Sequence, residues 1–356
     1  MKKYILSMVV AIVAILSSCS NEEITISKTV NFTVNPATVV EPYTSSFSDL
    51  LSIFDINRGV LESFNTNYKL RVRLFVYDNN GVLVQKASGN YSNYDVKLKE
   101  SFYLSVGSYT AIAISDIYRT SDGFEYWAVS GEDLLATLKI TDTGYFGGER
   151  TILGVTKQAF KVDDKGIDVN IDIKAAGALF LNYYQNIFTY TGVTEYELSV
   201  NKLQSSINYD SEGNYSISTE NHNGSYDWRI SSVVLDEIDQ TQYSGAIRWA
   251  TQLPMNNVGV CFSYWTSTAS SSSQMGSGKV LDIKAGDTYF CWLYLDSDGN
   301  TADYWTTAEF YKWFNSSRSH SRSVASTSQI ALFPEDVKDV KRHDATVGQF
   351  LYPKNL

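Results

Sequence analysis

The chain has 356 residues, with 29 Lys and Arg against 39 Asp and Glu, for a formal charge of −10. Such an acidic balance excludes a broad basic interface for nucleic acid or for an anionic membrane surface. With 25 Tyr, 17 Phe and only 5 Pro, the composition favours strands, and the length suggests two domains.

Met1-Lys2-Lys3 is a short positive segment. Tyr4 to Leu16 is almost continuously apolar, and Ser17-Ser18-Cys19 follows. This is the order of a secretory signal peptide, and its apolar run is too short to span a bilayer comfortably. Leu16-Ser17-Ser18-Cys19 also matches the bacterial lipobox, in which the Cys thiol is acylated. Residues 1–18 are therefore read as a lipoprotein signal peptide and Cys19 as the lipid-bearing residue. Two or three acyl chains on one residue hold firmly, since each buried CH₂ contributes about 0.8 kcal/mol. Residues 19–28 form a tether that begins Cys19-Ser20-Asn21-Glu22-Glu23. It resembles the acidic export signal of Bacteroidetes surface lipoproteins, which implies an outer-membrane, surface-exposed location.

Downstream the pattern is mostly of period two, the mark of half-buried strands. Val30 to Val34 alternates in this way, whereas Asp49 to Phe54 fits a short helix or a loop. Arg71 to Tyr77 and Val82 to Val84 read as a hairpin around Asp78-Asn79-Asn80-Gly81, because Asn-Gly tolerates the positive φ of such turns. Phe102 to Ile114 reads as strand, Gly107 turn, strand, with Tyr109 just after the corner. Ile152 to Val155, Ala159 to Val162 and Ile167 to Ile173 are further strands, the last two joined by the turn Asp163-Asp164-Lys165-Gly166. Ala175-Ala176-Gly177-Ala178 is a run of small residues where the chain can bend, and a boundary is placed there, between units 29–175 and 176–356.

In the second unit, Glu197 to Val200, Tyr215 to Ile217 and Ser232 to Leu235 are strands, and Ser267 to Ser277 is a Ser-rich loop. Val280 to Tyr294 repeats the strand, Gly, Tyr, strand order, with Tyr289 in the place that Tyr109 holds earlier. A Tyr after such a corner can bond back to the backbone and lock the turn, as in β-sandwiches. One copy per half predicts an all-β chain of two tandem β-sandwich domains. Thr306-Thr307-Ala308-Glu309 fits a helix capping box.

This layout resembles the fimbrillin-like lipoproteins of Bacteroidetes, a family of fimbrial subunits and of anchor and tip proteins. The lipobox, the acidic tether, the strand Val30 to Val34, the hairpin around Gly81, Val106-Gly107-Ser108-Tyr109 and the junction from Gly154 to Ala176 carry the likeness. It implies transthyretin-like sandwiches, and other fimbrial subunits as partners, joined by addition of a strand to a sheet. In that mode main-chain hydrogen bonds give affinity and side-chain pockets give specificity. Some members of that family are cut after an Arg to free the first strand. The first Arg after the signal peptide here is Arg58, which the resemblance makes the candidate processing site.

The search for chemistry is short. His222, His320 and His343 have no metal-ligand spacing, and no nucleophile elbow, phosphate loop or dinucleotide fingerprint is present. Asp296-Ser297-Asp298-Gly299-Asn300 reads as a hairpin turn rather than a calcium loop. No enzyme activity, cofactor or metal is expected. Cys261 and Cys291 lie in apolar segments, either as a disulfide or as two buried thiols. Trp249, Trp265, Trp292, Trp305 and Trp313 crowd the second half, and Tyr304 with Trp305 is the pair put forward for glycan contact. The expected function is thus a structural or adhesive fimbrial subunit, or an accessory anchor. The alternative is a glycan-binding surface lipoprotein of a polysaccharide-uptake system, with host or microbial glycans as ligands.

Overall fold

The computed structural model describes residues 27–36, 68–92, 96–143, 153–184, 187–188, 192–221, 228–237, 240, 243–266, 273–274, 279–296, 299–306, 341–343 and 349–353. Within them the chain is made of strands and two 3₁₀ turns, in keeping with the all-β composition. Asp49 to Phe54 and the capping box after Thr306 lie outside the described residues.

The first part contributes β1 (Ser27–Asn35), β2 (Tyr68–Tyr77), β3 (Leu83–Tyr91), β4 (Leu98–Ser105) and β5 (Gly107–Arg119). It continues with β6 (Trp127–Ser130), the 3₁₀ turn Leu135–Thr137, β7 (Lys139–Asp142), β8 (Leu153–Val162) and β9 (Ile167–Asp172). β4-β1-β9 form sheet I and β3-β2-β5-β8 form sheet II. The hairpin between β2 and β3 forms as expected. Gly81 takes φ +74, and Asp78 Oδ1 accepts from the backbone N–H of Asn80 (2.8 Å) and Val82 (2.9 Å).

The second part adds β10 (Ala178–Tyr184), β11 (Val193–Val200), β12 (Lys202–Tyr209), β13 (Tyr215–Asn221) and β14 (Trp228–Val234). After the 3₁₀ turn Leu235–Glu237 come β15 (Tyr243–Gln252), β16 (Met255–Thr266), β17 (Ser273–Gln274) and β18 (Lys279–Ile283). β19 (Thr288–Asp296), β20 (Gly299–Thr306), β21 (Lys341–His343) and β22 (Gln349–Pro353) complete it. Sheet IV runs β20-β19-β10-β15-β22-β21, and sheet V runs β14-β11-β16-β17 with β18 also on β16. Part of the expected Ser-rich loop is thus the strand β17. The Asp296 hairpin is seen from its flanks, where Asp296 pairs with Gly299.

Two apolar cores result. The second lies between sheets IV and V, where Phe180, Tyr184, Leu198, Val260, Phe262 and Tyr289 meet. The first is larger because its part has three layers rather than two. Sheet III, β13-β12-β7-β6, covers the face of sheet II that sheet I leaves open. Its β12–β13 hairpin comes from beyond the small-residue junction. β12 pairs with β7 through Ser206, Ile207 and Asn208, and Tyr209 N–H donates to Leu138 O (3.1 Å). Ile207 and Tyr209 sit in the first core. At the junction Gly177 is required sterically, since a Cβ there would lie 2.6 Å from Gln252 O.

Sequence alternation explains why β2 tolerates this third layer. Leu70, Val72, Leu74 and Val76 form one face and Arg71, Arg73, Phe75 and Tyr77 the other, yet all are buried. The two guanidiniums that alternation would give to solvent are enclosed instead, and they require partners.

Candidate functional site

The described residue stretch nearest the N-terminus forms the most distinctive site. β1 is the central strand of sheet I. It runs antiparallel to β4 from Ser27↔Ser105 to Val34↔Leu98. On its other side it runs parallel to β9 from Val30↔Ile167 to Asn35↔Asp172. Val30, Phe32 and Val34 are 0–1% exposed, as their alternation demands. Phe32 packs on Phe102 (5.5 Å between centroids) and edge-on to Phe160 (5.4 Å), which stacks on Tyr109 (5.6 Å). Burying three such side chains favours the seated strand by roughly 5–9 kcal/mol gross. Gly166 (φ +81) lets the turn before β9 approach β1, for a Cβ would stand 2.4 Å from Thr29 O. On the outer face Asn31 Nδ2 donates to Asp168 (2.8 Å) and Asn35 Nδ2 to Asp172 (2.5 Å), while Ser101 Oγ donates to Asn31 Oδ1 (2.8 Å). The site is therefore a slot between β4 and β9, with two backbone edges and apolar pockets, that holds one extended strand.

Both tyrosine corners are built as the repeated motif suggested. Tyr109 O–H donates to Ser105 O (2.9 Å) and Tyr289 O–H to Asp282 O (2.5 Å). Burial, reinforced by the Asp287 charge, pushes the Tyr289 phenol up to about 12. The first corner closes the β4–β5 connection at one end of the slot.

Sequence reasoning missed two polar clusters. Asp116, 1% exposed, accepts from Arg71 Nε (3.0 Å) and Nη2 (2.6 Å) and pairs with Arg73 Nη2 (3.2 Å). Both arginines also donate to Trp127 O, and Arg71 reaches Glu125. Burial lowers the Arg71 pKa, but Asp116 and Glu125 more than offset it, so the group is held above its ordinary value. Arg73 is pulled down by burial against the attraction of Asp116. In sheet V, Trp265 Nε1 donates to the buried Glu197 (2.9 Å), which also accepts from Ser199. The only advance signal was the alternation itself, which placed Arg71 and Arg73 on one face with Phe75 and Tyr77, and Glu197 with Ser199.

Cys19 and Arg58 lie outside the described residues, as do His222 and His320. Tyr304 and Trp305 are consecutive in β20, the edge strand of sheet IV, opposite Cys291 and Phe290. Cys261 and Cys291 are both buried as thiols, on different strands. Cys291 belongs to the second core, whereas Cys261 sits between the core residues Val260 and Phe262 and so belongs to the opposite face of sheet V. Burial and the nearby Glu197 push the Cys261 thiol up, which lowers its reactivity. Among the described residues no group of three or more His, Cys, Asp or Glu could hold a metal ion, and no helix is long and apolar enough to cross a membrane.

No family model and no curated protein matches the chain. Solved structures do. The chain is similar to the fimbrial anchor protein Mfa2 from Porphyromonas gingivalis, at 11% identity and TM-score 0.40, over 78% of this chain and 97% of that one. It is similar to the tip fimbrial protein Mfa3 of the same organism, at 8% identity and TM-score 0.39, over 78% and 99%. A candidate adhesin from Bacteroides thetaiotaomicron gives 9% identity and TM-score 0.45, over 78% and 96%.

Proposed function

We propose that the chain is a surface-anchored structural or adhesive subunit of a fimbria-type assembly, or its accessory anchor. It is held at the outer membrane by lipid on Cys19 and joined to other subunits by strand addition. In this reading 29–175 and 176–356 are its two β-sandwich units, with the β12–β13 hairpin of the second clasped to the first. The single observation that supports it most is the seat of β1. A terminal strand in the middle of a sheet leaves, when withdrawn, two unpaired edges and the pockets of Val30, Phe32 and Val34. Such a gap is filled by another extended strand of the same alternation.

The segment between Asn35 and Tyr68 contains Arg58, and a cut there frees β1 from the rest of the chain. The test uses the full chain, cut after Arg58 by a trypsin-like protease and offered a labelled peptide of sequence 27–35. Uptake of the peptide into folded protein, with SDS-resistant oligomers in unboiled gels, is the expected result. A cut chain that stays folded and monomeric and takes up no peptide refutes strand addition at this slot.

A further inference from the structure

The outer face of sheet I is polar and open. Its outward residues are Ser27, Thr29, Asn31, Thr33 and Asn35 on β1, flanked in register by Lys99, Ser101, Tyr103 and Ser105 on β4 and by Asp168, Asn170 and Asp172 on β9. The face has no aliphatic side chain. Asn and Asp are depleted in strands, yet five of these residues are Asn or Asp. The one aromatic, Tyr103, is 71% exposed. Burial is not what keeps that ring in place.

We propose that this face binds a glycan chain of neutral or N-acetylated sugars. The grid sets the chemistry. Same-face positions recur roughly every 6.6–6.8 Å along a strand and roughly 4.8 Å across it, the scale of a sugar ring and its hydroxyls. The Asn31–Asp168 and Asn35–Asp172 hydrogen bonds and the Ser101–Asn31 bond fix the central amides and carboxylates in orientation. Each carboxylate keeps lone pairs for sugar hydroxyl donors, and the Asn170 amide and Thr33 hydroxyl offer both donor and acceptor. Tyr103 supplies an apolar ring face with a polar tip, against which the C–H face of a sugar packs.

Charge and composition narrow the partner. Asp168 and Asp172, with Lys99 and the exposed Lys97 near them, give the face no positive excess with which to hold uronic acids, sulfated sugars or nucleic acid. A protein partner needs an apolar or aromatic interface core, which one Tyr among hydroxyls and amides does not provide. The inference goes beyond subunit assembly and does not depend on it. It does depend on β1, whose Asn31 is the centre of the grid.

The full chain is screened against immobilised neutral, N-acetylated and uronic-acid glycans, and the best soluble binder is titrated by calorimetry. Neutral or N-acetylated glycans bind, and Tyr103→Ala and Asn170→Ala each weaken binding by about tenfold or more. Both positions are exposed, so the melting temperature holds. Three results overturn the proposal: no binding up to millimolar glycan, binding of uronic-acid glycans alone, or affinity unchanged in the Tyr103→Ala, Asn170→Ala double variant. None of these outcomes bears on peptide uptake at the β1 slot, so the two proposals fail separately.

Discussion

Ile207 tests the clasp between the two parts of the chain. It lies some thirty residues beyond the small-residue junction, yet it is fully buried in the first core, opposite Ile140. Truncation to Ala removes its γ and δ carbons from a site pinned between sheet II and the β7 pairing. Ile→Ala in a core costs about 2–5 kcal/mol, most where the site cannot collapse. Backbone pairing on one side and a packed sheet on the other place Ile207→Ala in the upper part, about 3–5 kcal/mol. For a unit of 150–250 residues that corresponds to a melting shift of about 6–20 °C. Calorimetry gives the shift, and hydrogen exchange by mass spectrometry gives its location. Exchange is expected to quicken across β6 and β7, residues 127–142, which precede the junction. Ser216→Ala, on the neighbouring strand and exposed, serves as the control and shifts stability by about 0.5 kcal/mol or less. Faster exchange confined to residues after 176 refutes the clasp.

Three further outcomes follow from the geometry. Phe32→Ala, in the β1 slot, is expected to cost about 3–5 kcal/mol by urea titration and to speed release of β1 from chain cut after Arg58. Asp116→Asn leaves the enclosed Arg73 without its carboxylate and Arg71 with Glu125 alone, and costs about 3–5 kcal/mol, whereas a loss under about 1 kcal/mol would mean that Arg71 and Arg73 are solvated. Tyr289→Phe costs about 0.5–1.5 kcal/mol at neutral pH and changes the alkaline limb. The folded phenol titrates at about 12 against an ordinary 10.0. The fold therefore holds the proton more tightly than the unfolded chain does. The contribution is whole below pH 10 and is lost as pH rises towards 12. Urea midpoints at pH 9 and 11.5 are expected to converge between the wild type and Tyr289→Phe, and a constant difference contradicts the assignment.

Much of the strand plan was legible because it rests on local physics. Alternation located β1, β2, β9 and β19, turn chemistry located Gly81 and Gly166, and the repeated order of strand, Gly, Tyr, strand anticipated both corner bonds. The third layer was not legible. Nothing in Lys202 to Asn221 distinguishes a hairpin that completes its own unit from one that reaches back to β7, because pairing between strands distant in sequence leaves no local trace. The burial of Arg71 and Arg73 follows from that long-range event, so it was invisible for the same reason. The slot was half legible. Val30 to Val34 announces a strand, but its central place, parallel to β9 on one side, comes from chain topology. The polar grid shows the same limit, since its three strands are 70 and 137 residues apart at the Asn31 row.

β1 joins the anchoring and assembly readings in one element. In the proposed reading Ser27 is eight positions along the chain from Cys19, a reach of at most about 26–29 Å, so lipid on Cys19 would hold β1 close to the membrane and the rest of the protein through β1. In an intact chain the covalent link continues beyond Asn35. After a cut at Arg58, the contacts among the described residues that would connect lipid to subunit are those of the slot: the ladders to β4 and β9, the buried Val30, Phe32 and Val34, and the Asn31 and Asn35 side-chain bonds. Tension from the membrane then runs along β1 and loads both ladders in shear, so their hydrogen bonds resist together rather than one by one. The same cut therefore has two outcomes set by one competition. A subunit that keeps its strand stays at the membrane, and one that takes a neighbour's strand leaves its lipid behind. Cut protein on lipid vesicles, challenged with peptide 27–35, is expected to dissociate in step with peptide uptake, and faster in Phe32→Ala. Dissociation without uptake would mean that β1 is not the element that holds it there.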